Sequence, residues 1–144
     1  MCALSRPRRR AASGDQGVKN AVSVLDHIGF EVFDLERSVR FYDAVFEAIG
    51  GRRLYADPEA VAWGIEVPQL WLTTRGQPAP NFGHVALRAP SAAEVRAAHA
   101  AGLASGGTDA GPPGPRPVYG PDYYAAYLRD PDGLRIEVVS RRGG

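Results

Sequence analysis

The chain repeats itself, and that repeat restricts its fold more than any other feature. The segments Val24-Leu25-Asp26-His27-Ile28-Gly29-Phe30-Glu31-Val32 and Phe82-Gly83-His84-Val85-Ala86-Leu87-Arg88-Ala89 both alternate as strands, and each carries a histidine near its start. A helical pattern follows each one. Asp34 is an N-cap candidate before Leu35, Val39, Tyr42, Phe46 and Ile49, and Ser91-Ala92-Ala93-Glu94 fits a capping box ahead of an alanine-rich helix. Gly50-Gly51 and Gly106-Gly107 close the two helices, so His27 stands 23 residues before the first pair and His84 22 before the second. Short strands are then expected near 52–56, 61–67 and 69–75, and again near 107–110, 122–129 and 134–140. The predicted fold is α+β: two βαβββ modules, at about 23–75 and 81–141, whose sheets form an open cup with the helices outside.

A chain of 144 residues with 44% hydrophobic content supports one ordinary core. Cys2 is the single cysteine, which rules out an intrachain disulfide and a thiolate cage, so any metal would be held by nitrogen and oxygen. No apolar run approaches the roughly 18 residues needed to cross a bilayer, and no apolar segment follows the N-terminal arginines, so a cytoplasmic protein is expected. Arg6, Arg8, Arg9, Arg10 and Lys19 concentrate positive charge in the first 20 residues. Residues 1–22 therefore read as a disordered tail or a small polyanion-binding arm, with 142–144 a second short tail. The remainder is mildly acidic and gives no sign of a nucleic-acid surface. Gly111 to Pro121 is too rich in Pro and Gly for helix or central strand, and reads as a loop, either a stiff connector or a rim presenting Arg116 and Tyr119 to a ligand.

Strand alternation separates the faces. Ile28, Phe30 and Val32, and likewise Val85, Leu87 and Ala89, form apolar faces suited to the helices, which leaves His27, Glu31, His84 and Arg88 toward the cup. Asp130-Pro131-Asp132-Gly133 suits a tight turn that sets Asp130 opposite Leu134 and Tyr127 opposite Glu137. The cup face then gains Tyr123, Ala125, Arg129, Arg135 and Val139, while Tyr124, Ala126, Leu128, Ile136 and Val138 face the helix. Two repeat-related imidazoles and a carboxylate on one concave surface are what a facial metal triad needs, so His27, His84 and Glu137 are the candidate ligands of one divalent ion. Thr73 occupies the position matching Glu137 in the first half, where Glu31 or Glu66 could substitute as a fourth ligand. His99 has no counterpart and reads as surface or core filler.

These stretches, together with Ser38-Val39-Arg40-Phe41-Tyr42 and Asp130 to Glu137, resemble the vicinal oxygen chelate superfamily of glyoxalases, extradiol dioxygenases, fosfomycin resistance enzymes and bleomycin-binding proteins. The resemblance spans nearly the whole chain after residue 22. It implies metal ligation by His27, His84 and Glu137, a small-molecule substrate and a homodimer, and it places Thr73 where glyoxalase I has a fourth carboxylate. The ion would be Fe, Mn, Ni, Zn or Co, acting as a Lewis acid on a small oxygenated metabolite or xenobiotic in lyase, isomerase or dioxygenase chemistry. Tyr127 is a candidate proton donor or a partner orienting Glu137, and Glu31 a candidate base. Trp71, with Trp63 nearby, and Tyr123 offer aromatic contacts to a substrate or ordinary packing, and Arg88 and Arg116 offer pairing to an anion. The competing class is a non-catalytic protein that sequesters an antibiotic in the same cup.

Overall fold

The computed structural model describes residues 25–80 and 83–142. The expected tail at 1–22, residues 143–144 of the expected tail at 142–144, and Phe82 of the second repeat lie outside the described residues. The elements run β1 (Ile28–Glu31), α1 (Leu35–Ala48), β2 (Arg52–Ala56), β3 (Ala60–Gly64), β4 (Pro68–Thr73), β5 (His84–Arg88), α2 (Ala92–Ala104), β6 (Thr108–Pro115), a 3-10 turn at Pro117–Tyr119, β7 (Tyr124–Arg129) and β8 (Arg135–Ser140). They build two four-stranded mixed sheets with matching strand orders, β1-β4-β3-β2 and β5-β8-β7-β6. The two-module α+β fold expected from the repeat is therefore what the chain forms. Among the described residues no helix is long and apolar enough to cross a membrane.

Both helices begin and end by the same devices. The Asp34 side chain accepts from the Arg37 amide, and the Ser91 hydroxyl accepts from the Ala93 amide. At the other ends Gly50 and Gly106 take φ of +89° and +98°. That left-handed turn lets the Gly51 amide reach the Phe46 carbonyl at 2.7 Å and the Gly107 amide reach the Gly102 carbonyl at 2.9 Å.

One apolar core joins the two halves. Phe41, Tyr42, Val45 and Phe46 of α1 share it with Val95 and Ala98 of α2 and with Leu72, Leu128, Ile136 and Val138 from the helix-facing sides of both sheets. A Cβ on Gly102 would fall within 3.2 Å of both Phe41 and Val45, so its bare Cα lets the helices approach. Ala125, Tyr127 and Val139 form a separate cluster with Ala110 and Tyr123 on the opposite side of the second sheet, the division that strand alternation anticipates.

A polar clasp reinforces the joint. Asp132 accepts hydrogen bonds from the Phe33 amide at 3.2 Å, Arg37 at 3.1 Å and the Ser38 hydroxyl at 3.2 Å. Tyr42 donates its phenol proton to Asp130 at 2.7 Å. Burial raises the Asp130 carboxyl above the ordinary aspartate range and pushes the Tyr42 phenol up as well.

Three sequence expectations need correction. The Pro/Gly stretch is not all loop, because residues through Pro115 belong to β6. This strand tolerates Pro112, Pro113 and Pro115 because it lies at a sheet edge, pairs with β7 alone among the described residues and shifts register around Gly111. Trp63 lies off the cup, fully buried in the helix-side core with its indole N–H donating to Asp43 at 2.8 Å. Strand β1 starts at Ile28, so His27 stands one residue ahead of it while His84 opens β5.

Candidate functional site

The β7–β8 hairpin fixes the most buried acid of the cup. Asp130 Oδ1 accepts from the amides of Asp132 at 2.9 Å and Leu134 at 2.8 Å, and Gly133 takes φ of +91°, so the turn seals with Asp130 opposite Leu134. Counting out from there pairs Tyr127 with Glu137. Strand β5 runs parallel to β8 with Ala86 against Glu137, which carries His84 to the same surface two residues away. His84 Nε2 lies 3.3 Å from Glu137 Oε2.

Glu137 is only 3% exposed, yet one of its carboxylate oxygens is left facing a half-exposed imidazole. Its other oxygen, Oε1, accepts a short hydrogen bond from the Tyr123 hydroxyl. That contact, with burial and the carboxylate's charge, pushes the Tyr123 phenol up to about 12. The phenol therefore stays protonated at neutral pH and acts as a fixed donor that orients the carboxylate. Tyr119 packs on Tyr123 at 5.3 Å and Arg141 lies over the same ring at 4.9 Å. Tyr127 is raised too, by burial first and then by the charge of Glu137, while Arg135 sits over its ring at 4.2 Å. Such a phenol gives up a proton less readily and is poised as a hydrogen-bond donor rather than a base.

The donor spacing fits part of a metal site. Two ligand atoms bound about 2.0–2.2 Å from one ion at tetrahedral or octahedral angles stand roughly 2.8–3.6 Å apart. The 3.3 Å between His84 and Glu137 lies inside that range. His27 stays outside the pair: among the described residues no three His, Cys, Asp or Glu side chains gather into a group able to hold an ion.

His27 has the features of a ligand nonetheless. Its Nδ1 lies 2.6 Å from Asp26 Oδ1, so the carboxylate occupies that nitrogen and leaves Nε2 as the one to bind an ion, as supporting carboxylates do for metal-binding histidines. Trp71 stands edge-on to it at 6.4 Å between ring centres. Glu31, on the same face, is fastened at both oxygens, by the Thr73 hydroxyl at 2.7 Å and the Arg75 amide at 2.8 Å. The Arg75 amide first, and then Thr73, hold its carboxyl below the ordinary glutamate range, which weakens it as a base. Thr73, the counterpart of Glu137, thus acts as a donor to Glu31.

The remaining candidates are dispersed. Arg88 is exposed and lines a cavity of about 370 Å³ with His27, Ile28, Leu70 and Val85. Arg116 folds its guanidinium back onto the carbonyls of Pro112 at 2.8 Å and Pro115 at 3.3 Å, over the Tyr127 ring at 5.7 Å. Tyr119 is 62% exposed at the rim, and Glu66 is exposed in the turn after β3. His99 is buried and contacts Asp109 at 2.8 Å. Sequence reasoning passed over Asp26, although an acid beside a candidate ligand is a signal for a supporting carboxylate. It also passed over Tyr55 on β2, whose ring meets Trp71 at 5.0 Å although no local pattern ties the two.

The comparisons with known proteins agree with this geometry at the level of the family. Residues 24–138 match the model of the Glyoxalase/Bleomycin resistance protein/Dioxygenase superfamily. The crystal structure of a glyoxalase/bleomycin resistance protein from Albidiferax ferrireducens T118 is similar at 36% identity and a TM-score of 0.74, covering 81% of this chain and 98% of that one. A glyoxalase-related enzyme from Fulvimarina pelagi (24% identity, TM-score 0.63, 81% and 86% covered) shares the fold. So does the fosfomycin resistance protein FosX from Mesorhizobium loti (23%, 0.61, 83% and 92%). No curated protein matches the chain in sequence. The family model covers most of the chain, and the chain belongs to the glyoxalase/bleomycin resistance protein/dioxygenase superfamily.

Proposed function

We propose that the protein is a metal-dependent enzyme that acts on a small oxygenated compound, with His84, Glu137 and a third ligand, His27, holding one divalent ion. The observation that carries this reading is the 3.3 Å separation of His84 Nε2 and Glu137 Oε2 around an otherwise buried carboxylate. A nearly buried carboxylate with one oxygen turned to an imidazole is an arrangement that a bound cation between the two groups stabilises. An ion bound there supplies Lewis acidity to the oxygens of a substrate, the chemistry common to lyase, isomerase and dioxygenase members of the superfamily. The chain's own groups do the rest. Tyr123 holds Glu137 in place through its phenol hydrogen bond, and Tyr127, kept protonated by burial and by Glu137, donates a hydrogen bond to substrate oxygen. Asp26 holds the His27 ring with Nε2 available.

His27 comes to this site from a second copy of the chain. Two features support that assignment: His27 is not grouped with His84 and Glu137 among the described residues, and its surroundings expose Leu25, Ile65 and Val67 at 63%, 56% and 59%. An apolar surface of this kind is suited to a subunit contact. The protein is accordingly a homodimer in which each site draws on both subunits.

Elemental analysis of protein purified without added metal tests the reading, repeated on His84→Ala. Close to one divalent ion per chain is expected in the wild type and none in the variant, with a melting temperature that rises on adding Mn, Fe, Co, Ni or Zn to the wild type only. A wild type that carries no stoichiometric ion and whose melting ignores all five refutes the proposal and leaves a metal-free binding protein.

A further inference from the structure

On the cup side of the first sheet Thr73 stands where the second sheet has Glu137, and the large side chains there form an aromatic pair. Gly29, Trp71, Ala62 and Tyr55 are neighbours on four successive strands, β1, β4, β3 and β2, and paired residues share a face. Large and small side chains alternate along this row. Trp71 and Tyr55 therefore lean together over Ala62, which is fully buried, and their rings meet at 5.0 Å with a 44° tilt. The other end of the row is bare. Gly29 has an ordinary backbone, and a Cβ there would meet only Trp71 atoms, none nearer than 3.8 Å, so its missing side chain leaves space beside the indole.

Both rings are anchored. The Tyr55 hydroxyl donates to Asp57 at 2.5 Å, and Asp57 is itself fixed by the amides of Glu59 and Ala60, each at 2.8 Å. Trp71 sits on a strand paired on both sides and stands edge-on to His27. The half-buried indole and His27 line one open trough of about 700 Å³, together with Asp26, Gly29, Thr73 and Arg75. Arg75 is near Glu31 and Asp57, so the trough has no unbalanced positive charge with which to select an anion. Its distinguishing feature is a fixed apolar plane next to a ligand histidine.

We infer that Trp71 is a specificity-determining residue that stacks a planar, conjugated ring of the substrate beside the ion-binding site, and that Tyr55 is the positioning residue that sets the indole plane. This rests on the proposed metal site only for the oxygen-bearing end of the substrate. Ring stacking on a pre-set aromatic favours a flat ligand over a puckered one of equal size by roughly 2- to 10-fold in affinity.

Mandelate and hexahydromandelate share one hydroxy-acid head and differ in a flat or puckered ring. Their affinities for the full-length protein are to be measured by calorimetry with and without Mn(II), in the wild type, Tyr55→Leu and Trp71→Leu. Mandelate is expected to bind roughly 2- to 10-fold more tightly in the wild type, with the ratio falling toward one in Trp71→Leu and part way in Tyr55→Leu. Of the chain's two tryptophans Trp63 is fully buried, so quenching of indole fluorescence by mandelate reports Trp71. Equal affinities in the wild type, no binding of either acid, or a ratio unchanged in both variants overturns the inference. Tyr55 is 42% exposed, which keeps its variant informative even if Trp71→Leu misfolds. Manganese that alters neither affinity counts against the metal site, while a ratio abolished by the variants upholds the stacking role in that same experiment.

Discussion

The two cup faces of this protein come from one repeated plan and have been fitted out differently. On the second sheet a carboxylate, an imidazole and two tyrosines converge, with Glu137 opposite Tyr127 and beside His84. On the first, Thr73 stands where Glu137 would be and is spent on Glu31, and the prominent side chains are Trp71 and Tyr55. Equivalent backbone positions thus carry the proposed ligand pair His84 and Glu137 in one half and the proposed stacking surface of Trp71 and Tyr55 in the other. Repetition supplies geometry, and individual side chains then divide the work.

The sharpest way to break this comparison is to disable one half in each of two chains. If His27 serves the His84 and Glu137 of a second copy, then His27→Ala and Glu137→Ala each lose the ion alone. Co-refolded mixtures regain about a quarter of the sites, since half the dimers are mixed and each has one intact site. Metal content of the mixture measures this, and a value at the level of the separate variants would show that each chain assembles its own triad.

A smaller effect is expected from Tyr123→Phe, which removes the hydrogen bond to Glu137 Oε1 and leaves the ring in place. Loss of a group that orients a ligand lowers metal affinity by roughly tenfold, and competition with a fluorescent chelator would measure it. Thr73→Ala, at the matching place on the other face, should leave metal affinity alone.

The smallest effect is electrostatic and confined to the first sheet. Thr73→Ala removes the second of the two main donors that depress Glu31, so its carboxyl should titrate higher but still below the ordinary range, because the Arg75 amide remains. An NMR titration of the Glu31 side chain follows this directly. With a depressed native pKa, the stabilisation from Glu31 is complete above the ordinary glutamate range and disappears as pH falls through the native value. The variant should therefore lose it at a higher pH than the wild type.

Much of this architecture was legible along the chain because it is periodic or local. Alternation assigned Ile28, Phe30, Val85 and Leu87 to the helix side and His84 and Glu137 to the other, since a strand's pleat fixes the direction of each side chain. The turn residues of Asp130 to Gly133 fixed the hairpin register, and with it the Tyr127–Glu137 pair, because the left-handed Gly133 and the Asp130 cap are encoded within five residues. Composition misled where context overrode it. Prolines that read as loop were accepted into β6 because it is an edge strand, with no ladder on its outer side among the described residues.

What the sequence by itself determined is the pair of modules, the faces of their strands and the short list of groups able to hold an ion. Only the tertiary structure decided which of those groups meet: His84 with Glu137, His27 with Asp26 and Trp71, Trp63 with the core, and Asp130 and Asp132 with α1 some ninety residues earlier. The reason is physical. Side-chain direction within a strand follows from backbone geometry over a few residues, whereas the docking of one sheet on another depends on the summed fit of a shared core, which no short segment encodes.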